Sequence, residues 1–370
     1  MKKKKILAIF GTRPEAIKMA PVIKELEKHK ARFQAIICVT GQHRHMLDQV
    51  LNLFKIKPNI DLNLMQENQT LQALTSSALT VLTQTIQKIK PDLILVQGDT
   101  TTAMVAALAG FYQKIPVGHV EAGLRTHDIY NPFPEEVNRC IISSIASFNF
   151  APTKRAYQTL LGQGIKKERV VLTGNTVVDA LKMIFKAGKA KEFDLGIKKG
   201  HKIILVTAHR RENFGRPLEQ ICDALSMIVR RNSDVVVVYP VHLNPNVKKV
   251  VFKRLAGQER IYLIAPIEYH QLGNLIRKAY LVLTDSGGIQ EEAPAFGKPV
   301  LVMREETERP EGIEAGVAKL VGTNTAKIVK EVERLLRVKS AYNKMSKSVS
   351  PYGDGKAAQR IAQYLRLNLR

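Results

Sequence analysis

Acidic side chains stand directly after two apolar segments that are typical of buried strands. Asp99 follows the segment Asp92–Val96, and Glu121 follows the segment Pro116–Val120. A third acid, Glu135, lies in a loop braced by two prolines at the start of a predicted helix. Acid–base chemistry needs ionisable groups whose environments differ, and neighbouring strand ends can supply such environments. The three carboxylates are therefore candidate proton-transfer groups.

Each of these groups also has a structural interpretation. Aspartate is a good helix cap, so Asp99 could simply begin the next helix. Glu121 could form a structural ion pair, and Glu135 could do no more than complement a helix dipole. His209 follows the later predicted strand Lys202–Val206 and could titrate near neutral pH. A buried histidine is more often structural, so the residues alone leave both interpretations open.

The segment 284–292, Thr-Asp-Ser-Gly-Gly-Ile-Gln-Glu-Glu, predicts an anion site. An apolar run leads straight into it, so the order is strand, small-residue turn and helix. Ser286 could cap the helix, and Gly287 and Gly288 would let a ligand approach the backbone N–H groups. Phosphate is the usual anion at such a helix start, and Glu292 could bind the hydroxyls of a ribose. Together these features favour a nucleotide diphosphate, although an ordinary strand-to-helix turn has the same pattern.

Further cationic groups lie at other predicted strand ends. Arg13 and Lys18 follow the first strand and could both reach a phosphate. His242 follows a strand of the second half, and Arg309 lies in a mixed acidic loop that could equally be a solvated surface. The histidines do not have the spacing of metal ligands on one element, so no metal site is predicted.

Strand and helix patterns alternate along the whole chain, which predicts an α/β protein with parallel sheets covered by helices. We expect two doubly wound, Rossmann-like domains of similar size that face a cleft. They span residues 1–175 and 176–354, and a last helix in 355–370 packs back on the first domain; the polar stretch 186–200 is the candidate linker. The predicted strands are Lys4–Phe10, Gln34–Val39, Asp92–Val96, Pro116–Val120, Lys202–Val206, Asp234–Tyr239, Arg260–Ile264, Leu281–Leu283 and Pro299–Val302.

Composition narrows the class of protein. The chain has 370 residues, of which 45% are hydrophobic and 24% charged, as in globular proteins. No apolar run approaches the roughly 18 residues of a membrane span, so no membrane insertion is expected. Three dispersed cysteines predict buried, reduced thiols and a cytoplasmic location. The net charge of +24 could indicate nucleic-acid binding, but no nucleic-acid motif and no interleaved aromatic residues accompany it, so none is expected.

Nine short motifs, taken together and in order, resemble those of the non-hydrolysing bacterial UDP-N-acetylglucosamine 2-epimerases. The resemblance runs from Lys5 to Tyr364. The motifs lie at residues 10–18 (FGTRPEAIK), 98–102 (GDTTT), 119–126 (HVEAGLRT), 132–139 (PFPEEVNR), 174–181 (GNTVVDAL), 208–213 (AHRREN), 241–245 (VHLNP), 284–294 (TDSGGIQEEAP) and 307–311 (TERPE).

The resemblance implies a GT-B-like fold and the interconversion of UDP-N-acetylglucosamine and UDP-N-acetylmannosamine. UDP would be eliminated to give 2-acetamidoglucal and then added back, with no metal or cofactor. It also implies a homodimer. The implied acid–base residues are Asp99, Glu121, Glu135 and His209. The implied substrate-binding residues are Arg13, Lys18, His242, Ser286, Gly287, Gly288, Glu292 and Arg309. A regulatory UDP-N-acetylglucosamine site would use Gln42, His43, Gln69, Glu135 and Arg210.

Three other functions compete with this interpretation. A glycosyltransferase of the same fold would also bind a nucleotide sugar at a Ser-Gly-Gly helix start. A hydrolysing epimerase would release UDP and free N-acetylmannosamine. A non-catalytic sugar-nucleotide sensor would not need the acids and His209.

Overall fold

The computed structural model describes residues 3–41, 44–64, 69–186, 195–198, 200–346 and 350–369. The chain forms two compact units. The first comprises Met1–Met183 and Tyr352–Arg370, and the second comprises Ile184–Pro351. Each is built on one parallel sheet with helices between its strands. The predicted α/β, doubly wound class is thus confirmed.

The first unit contains a seven-stranded sheet in the order β3-β2-β1-β4-β5-β6-β7. Its strands are β1 (Lys4–Phe10), β2 (Phe33–Val39), β3 (Ile60–Asp61), β4 (Leu93–Gln97), β5 (Val117–Val120), β6 (Phe148–Ala151) and β7 (Val170–Leu172). All neighbouring pairs are parallel. The strand order reverses between β1 and β4, and ligands of such sheets bind beyond the carboxyl ends of the strands at this point.

The second unit contains a six-stranded parallel sheet in the order β10-β9-β8-β11-β12-β13. Its strands are β8 (Lys202–Thr207), β9 (Val235–Pro240), β10 (Ile261–Ile264), β11 (Leu281–Thr284), β12 (Val300–Val302) and β13 (Ala318–Leu320). The order reverses between β8 and β11, so His209 and the turn at Ser286 follow the two strands that flank this second switch point.

Helices connect the strands and cover both sheets. In chain order they are α1 (Arg13–Lys28), α2 (Arg44–Phe54), α3 (Leu71–Ile89), α4 (Thr101–Tyr112), α5 (Glu135–Ile145), α6 (Lys154–Gly162), α7 (Thr176–Lys186), α8 (Arg216–Arg231), α9 (Pro245–Leu255), α10 (Tyr269–Lys278), α11 (Gly287–Glu292), α12 (Pro310–Glu314), α13 (Thr325–Arg337), α14 (Lys339–Met345) and α15 (Ala357–Asn368). Threonine hydroxyls cap four helices of the first unit, at Thr12, Thr70, Thr100 and Thr153.

The two units divide between residues 183 and 184, inside α7, whereas the sequence places the boundary after residue 175. The part of α7 up to residue 183 belongs to the first unit, where Asp179 binds the C-terminal segment of the chain. The carboxylate of Asp179 accepts the backbone N–H groups of Ala357 and Ala358 at 3.2 and 2.9 Å. Burial raises the pKa of Asp179. Most of the predicted linker lies outside the described residues.

Four short strands were not predicted, namely β3, β6, β7 and β13. Within the described ranges, no helix is both long and apolar enough to cross a membrane.

Candidate active site

Glu121 stands at the end of β5 and is held by three side chains. Lys18 of α1 forms an ion pair with it, and the amide group of Gln97 donates to its other oxygen. Asn175 also donates a hydrogen bond to it, at 3.0 Å. The backbone of Glu121 is left-handed, with φ 68°, which non-glycine residues rarely adopt. A fixed carboxylate in unusual backbone geometry is typical of a functional position.

Asp99 stands beyond the neighbouring strand β4 and is bound by an arginine fork. Both Nε and Nη2 of Arg139 contact Oδ2 of Asp99, at 2.8 and 2.7 Å. Asn138 donates to the backbone carbonyl of Asp99 at 2.9 Å. The side chain of Glu121 passes beside Gly98, where an added Cβ would lie 3.8 Å from Glu121 Oε2. The structure therefore brings together the two strand-end acids that the sequence predicts.

Glu135 is the first residue of α5 and is half-buried. Its neighbour Glu136 has the more structural role of the two. Glu136 is buried, pairs with Arg139 at 3.0 Å, and accepts the backbone N–H groups of Thr126 and His127, each at 3.1 Å. Arg139 therefore links the loop before α5 to Asp99.

Glu15 is a site residue that sequence reasoning missed. It is buried and accepts the backbone N–H groups of Gly11 and Thr12, at 3.1 and 2.7 Å. Its other oxygen accepts the hydroxyl of Thr100 at 2.7 Å. Burial raises the pKa of Glu15, although these hydrogen bonds oppose the shift. Glu15 thus joins the loop after β1 to the loop after β4. The capping-box pattern of Thr12 and Glu15 was the signal that could have found it.

His119 lies in β5, completely buried, and its Nε2 bonds to the carbonyl oxygen of Gly98 at 2.7 Å. Burial lowers the pKa of His119 to about 4. The contact requires a protonated Nε2, which the neutral ring supplies. His119 therefore holds the backbone immediately before Asp99.

This buried histidine predicts a pH-dependent stability. Because its folded pKa lies below the usual value of about 6.5, the unfolded chain binds the extra proton first. The stabilisation is complete above about pH 6.5 and is lost as the pH falls towards 4. Between pH 7.5 and 5, the wild type should lose about 2 kcal/mol more than His119→Gln in urea unfolding followed by circular dichroism. Equal losses in the two proteins would contradict the burial of a neutral His119.

In the second unit, Asp285 organises the loop after β8. Asp285 is completely buried, and its Oδ2 accepts the backbone N–H groups of His209 and Arg210, at 2.8 and 2.9 Å. The amide of Asn213 donates to the same oxygen at 3.1 Å. The other oxygen, Oδ1, lies 3.5 Å from Nδ1 of His209. Sequence reasoning treated Asp285 only as part of the turn.

The ring of His209 stacks on that of His242, with centroids 5.4 Å apart and planes at 16°. The structure thus brings together two histidines that the sequence placed at separate strand ends. Burial lowers the pKa of His209, and the nearby His242 and Arg210 lower it further. The charge of Asp285 raises this pKa and so opposes the shift. We expected titration near neutral pH, and the structure shifts it downwards.

Two guanidinium groups converge on Gly287 at the start of α11. A Cβ added there would lie 3.7 Å from Nη2 of Arg210 and 3.8 Å from Nη2 of Arg309. Arg309 is fixed by an ion pair with the buried Glu291. Cationic groups beside the N–H groups of a helix start are suited to binding phosphate. The structure therefore places Arg210, which the resemblance assigned to regulation, beside Arg309.

The expected capping role of Ser286 is wrong. Ser286 occupies the N-cap position of α11, but its side chain makes no capping hydrogen bond. Its backbone N–H instead donates to the hydroxyl of Thr284 at 2.9 Å. Helix α11 begins at Gly287, directly after Ser286. Glu292, the last residue of α11, is buried.

The remaining predicted residues are spread over the first unit. Arg13 begins α1. Gln69 precedes the N-cap of α3 and donates to Ser77 at 3.4 Å. Gln42 and His43 lie outside the described residues. Of the three cysteines, Cys38 and Cys222 are buried, whereas Cys140 is only half-buried, contrary to expectation.

The two doubly wound units, with strand-end acids in one and a phosphate-type helix start in the other, define a GT-B-like α/β protein. A sequence model described as UDP-N-acetylglucosamine 2-epimerase matches residues 24–366. The chain belongs to the UDP-N-acetylglucosamine 2-epimerase family, which confirms the resemblance inferred from its motifs.

Individual relatives cover almost the whole chain. It is 52% identical over 374 residues to a UDP-N-acetylglucosamine 2-epimerase of Campylobacter jejuni, covering 98% of this chain and 97% of the relative. A crystal structure from Neisseria meningitidis, bound to UDP-GlcNAc, is similar with a TM-score of 0.92 and 46% identity over 98% of this chain and all of that one. A Staphylococcus aureus structure with UDP has a TM-score of 0.89 and 47% identity, covering 99% and 98% of the two chains.

Proposed function

We propose that this chain interconverts UDP-N-acetylglucosamine and UDP-N-acetylmannosamine without releasing free sugar. The observation that carries the proposal is the pair of carboxylates, Asp99 and Glu121, fixed at adjacent strand ends by Arg139 and Lys18. Inversion at C2 requires one group to remove a proton and another to return it on the opposite face. Two acids held by different cations suit those two tasks.

The first half of the proposed reaction is an elimination. A base takes the C2 proton, the C–H electron pair forms the C1=C2 double bond, and the C1–O bond breaks. The electron pair of that bond leaves with UDP, so the products are UDP and 2-acetamidoglucal. In the second half, an acid protonates C2 on the other face and UDP adds back to C1. The set Asp99, Glu121, Glu135 and His209 supplies these proton transfers.

The second unit supplies the groups for the diphosphate. Arg210 and Arg309 converge on Gly287, which is the first residue of helix α11. Negative charge develops on UDP as the C1–O bond breaks, and fixed cations and dipoles stabilise such charge. Gly288, Ser286, Glu292 and His242 complete the proposed UDP site of the second unit, and Arg13 and Lys18 stay predicted substrate-binding residues. In this proposal Arg210 contacts the substrate; its regulatory role with Gln42, His43 and Gln69 stays a prediction, as does the homodimer.

One experiment separates this function from its rivals. The protein is incubated with UDP-N-acetylglucosamine in D₂O, without an acceptor, and the products are followed by ¹H and ³¹P NMR. We expect a UDP-linked manno sugar and deuterium at C2 of both epimers. Free sugar with UDP would instead indicate a hydrolysing enzyme. Unchanged substrate, with its C2 proton retained, would contradict both and leave the glycosyltransferase and the sensor.

A further inference from the structure

We infer that Asp285 is a positioning residue that fixes the tautomer of His209, so that Nε2 carries the lone pair used in proton transfer. This inference rests on the proposed catalytic role of His209. It starts from the two oxygens of Asp285, which face different partners. Three N–H donors converge on Oδ2, whereas Oδ1 faces the ring nitrogen Nδ1 of His209 at 3.5 Å.

The surroundings of Oδ1 indicate that it faces a protonated Nδ1 of His209. Asp285 is completely buried, and its Oδ1 accepts no hydrogen bond from the described part of the chain. A buried carboxylate oxygen without a donor is costly, so a proton on the facing Nδ1 is strongly favoured. In a neutral imidazole the other nitrogen, Nε2, must then be an acceptor. The ring therefore keeps a basic nitrogen on the side away from Asp285.

The stacked ring of His242 carries its proton on the other ring nitrogen. Its Nδ1 accepts the backbone N–H of Asn244 at 3.1 Å, so the neutral ring carries its proton on Nε2. The two parallel imidazoles, 5.4 Å apart, thus have different tautomers set by different partners. His242 is an internal reference for any measurement on His209, because Asp285 does not contact it through a hydrogen bond in the described residues.

Replacing Asp285 by asparagine puts a hydrogen-bond donor in place of the acceptor Oδ1 and keeps the shape of the side chain. In Asp285→Asn, the three donors at the Oδ2 position select the amide oxygen for that place. The amide nitrogen must then take the Oδ1 position and donate towards Nδ1 of His209. The ring would shift its proton to Nε2 and lose its basic nitrogen there. Such a reversal in a carboxylate–histidine pair is known to impair catalysis while the geometry is kept.

The test is ¹⁵N NMR of the side chains in histidine-labelled full-length protein, with His209 assigned by His209→Gln. Above its titration range, wild-type His209 should show a protonated Nδ1 and an unprotonated Nε2, and Asp285→Asn should show the reverse. His242 should be unchanged in both proteins. In the epimerase assay, kcat of Asp285→Asn should fall about 10²-fold or more with KM within about threefold.

A matched control is Asn213→Ala, which removes one donor from Oδ2 but leaves Oδ1 charged. It should keep the wild-type tautomer and lose less than about tenfold in kcat. A wild-type His209 protonated on Nε2 would overturn the inference even if neither variant folded. The tautomer is measured without substrate, so its result is independent of the D₂O experiment. If the proposed function fails, the assignment of the proton to Nδ1 is unaffected. If the tautomer is wrong, the epimerase proposal is unaffected.

Discussion

Replacing Asp99 by asparagine is expected to lower kcat about 10³-fold while the protein stays folded, which is the range of a lost general acid or base. The structure makes this substitution a clean one. Both contacts from Arg139 go to the same oxygen, Oδ2, so the amide oxygen of asparagine can take that position and keep them. The amide nitrogen then replaces the oxygen that is free of the arginine fork. The loss in turnover would therefore report proton transfer rather than a broken ion pair.

A matched control lies at the other end of the same strand. Asp92 precedes β4 and accepts the backbone N–H of Lys5 at 2.8 Å. Asp92→Asn removes one carboxylate from the same unit, far from the carboxyl ends of the strands, and should leave kcat within about twofold. Thermal unfolding and steady-state kinetics of both variants check the pair. If Asp99→Asn retains turnover within about tenfold, roughly 1.4 kcal/mol of barrier, Asp99 has no acid–base role.

The sequence predicted the long elements well because their signals are local. Strand β4 is buried on both faces, and its uninterrupted apolar run indicated this directly. The signal of helix α3 (Leu71–Ile89) is local as well, because its apolar residues recur on one face and Thr70 caps it. Strands β3 and β7 have two and three residues, and they exist only because a neighbouring strand supplies hydrogen bonds. No local pattern could predict them.

The residues of the candidate site also differ in whether local sequence signals could predict them. Asp99, Glu121 and His209 could be singled out because side chains that follow parallel strands lie at the carboxyl edge of their own sheet. Their partners could not be found, because tertiary contacts choose them. Asn175 reaches Glu121 across 54 residues, and Asp285 contacts the backbone of His209 across 76. Both partners stood in motifs that the sequence singled out, but nothing local gave them a role.

The ring of donors around Glu121 leads to the second large effect. In Glu121→Gln we expect kcat to fall about 10³-fold, while KM stays the same or decreases. The amide oxygen can keep the contacts from Lys18 and Asn175, and Gln97 can turn its own amide to accept from the new NH₂ group. The fold is thus preserved, but the negative charge is lost. Lys18, without the negative charge of Glu121, should then attract the anionic substrate more strongly.

The split between kcat and KM distinguishes two roles for Glu121. If Glu121 only balances the charge of Lys18, the variant would keep its turnover and change KM alone. If it transfers a proton, turnover falls whatever happens to KM, and deuterium incorporation at C2 falls with it.

The matched control is Glu27→Gln, which removes the surface ion pair with Lys24 at 2.8 Å on the same helix as Lys18. Lys24 and Glu27 are partly exposed, and surface pairs of this kind contribute about 0–1 kcal/mol to stability, so this control should stay folded and match the wild type in kcat, KM and exchange. Exchange at C2 that persists at the wild-type rate in Glu121→Gln would assign proton removal to another member of the acid–base set.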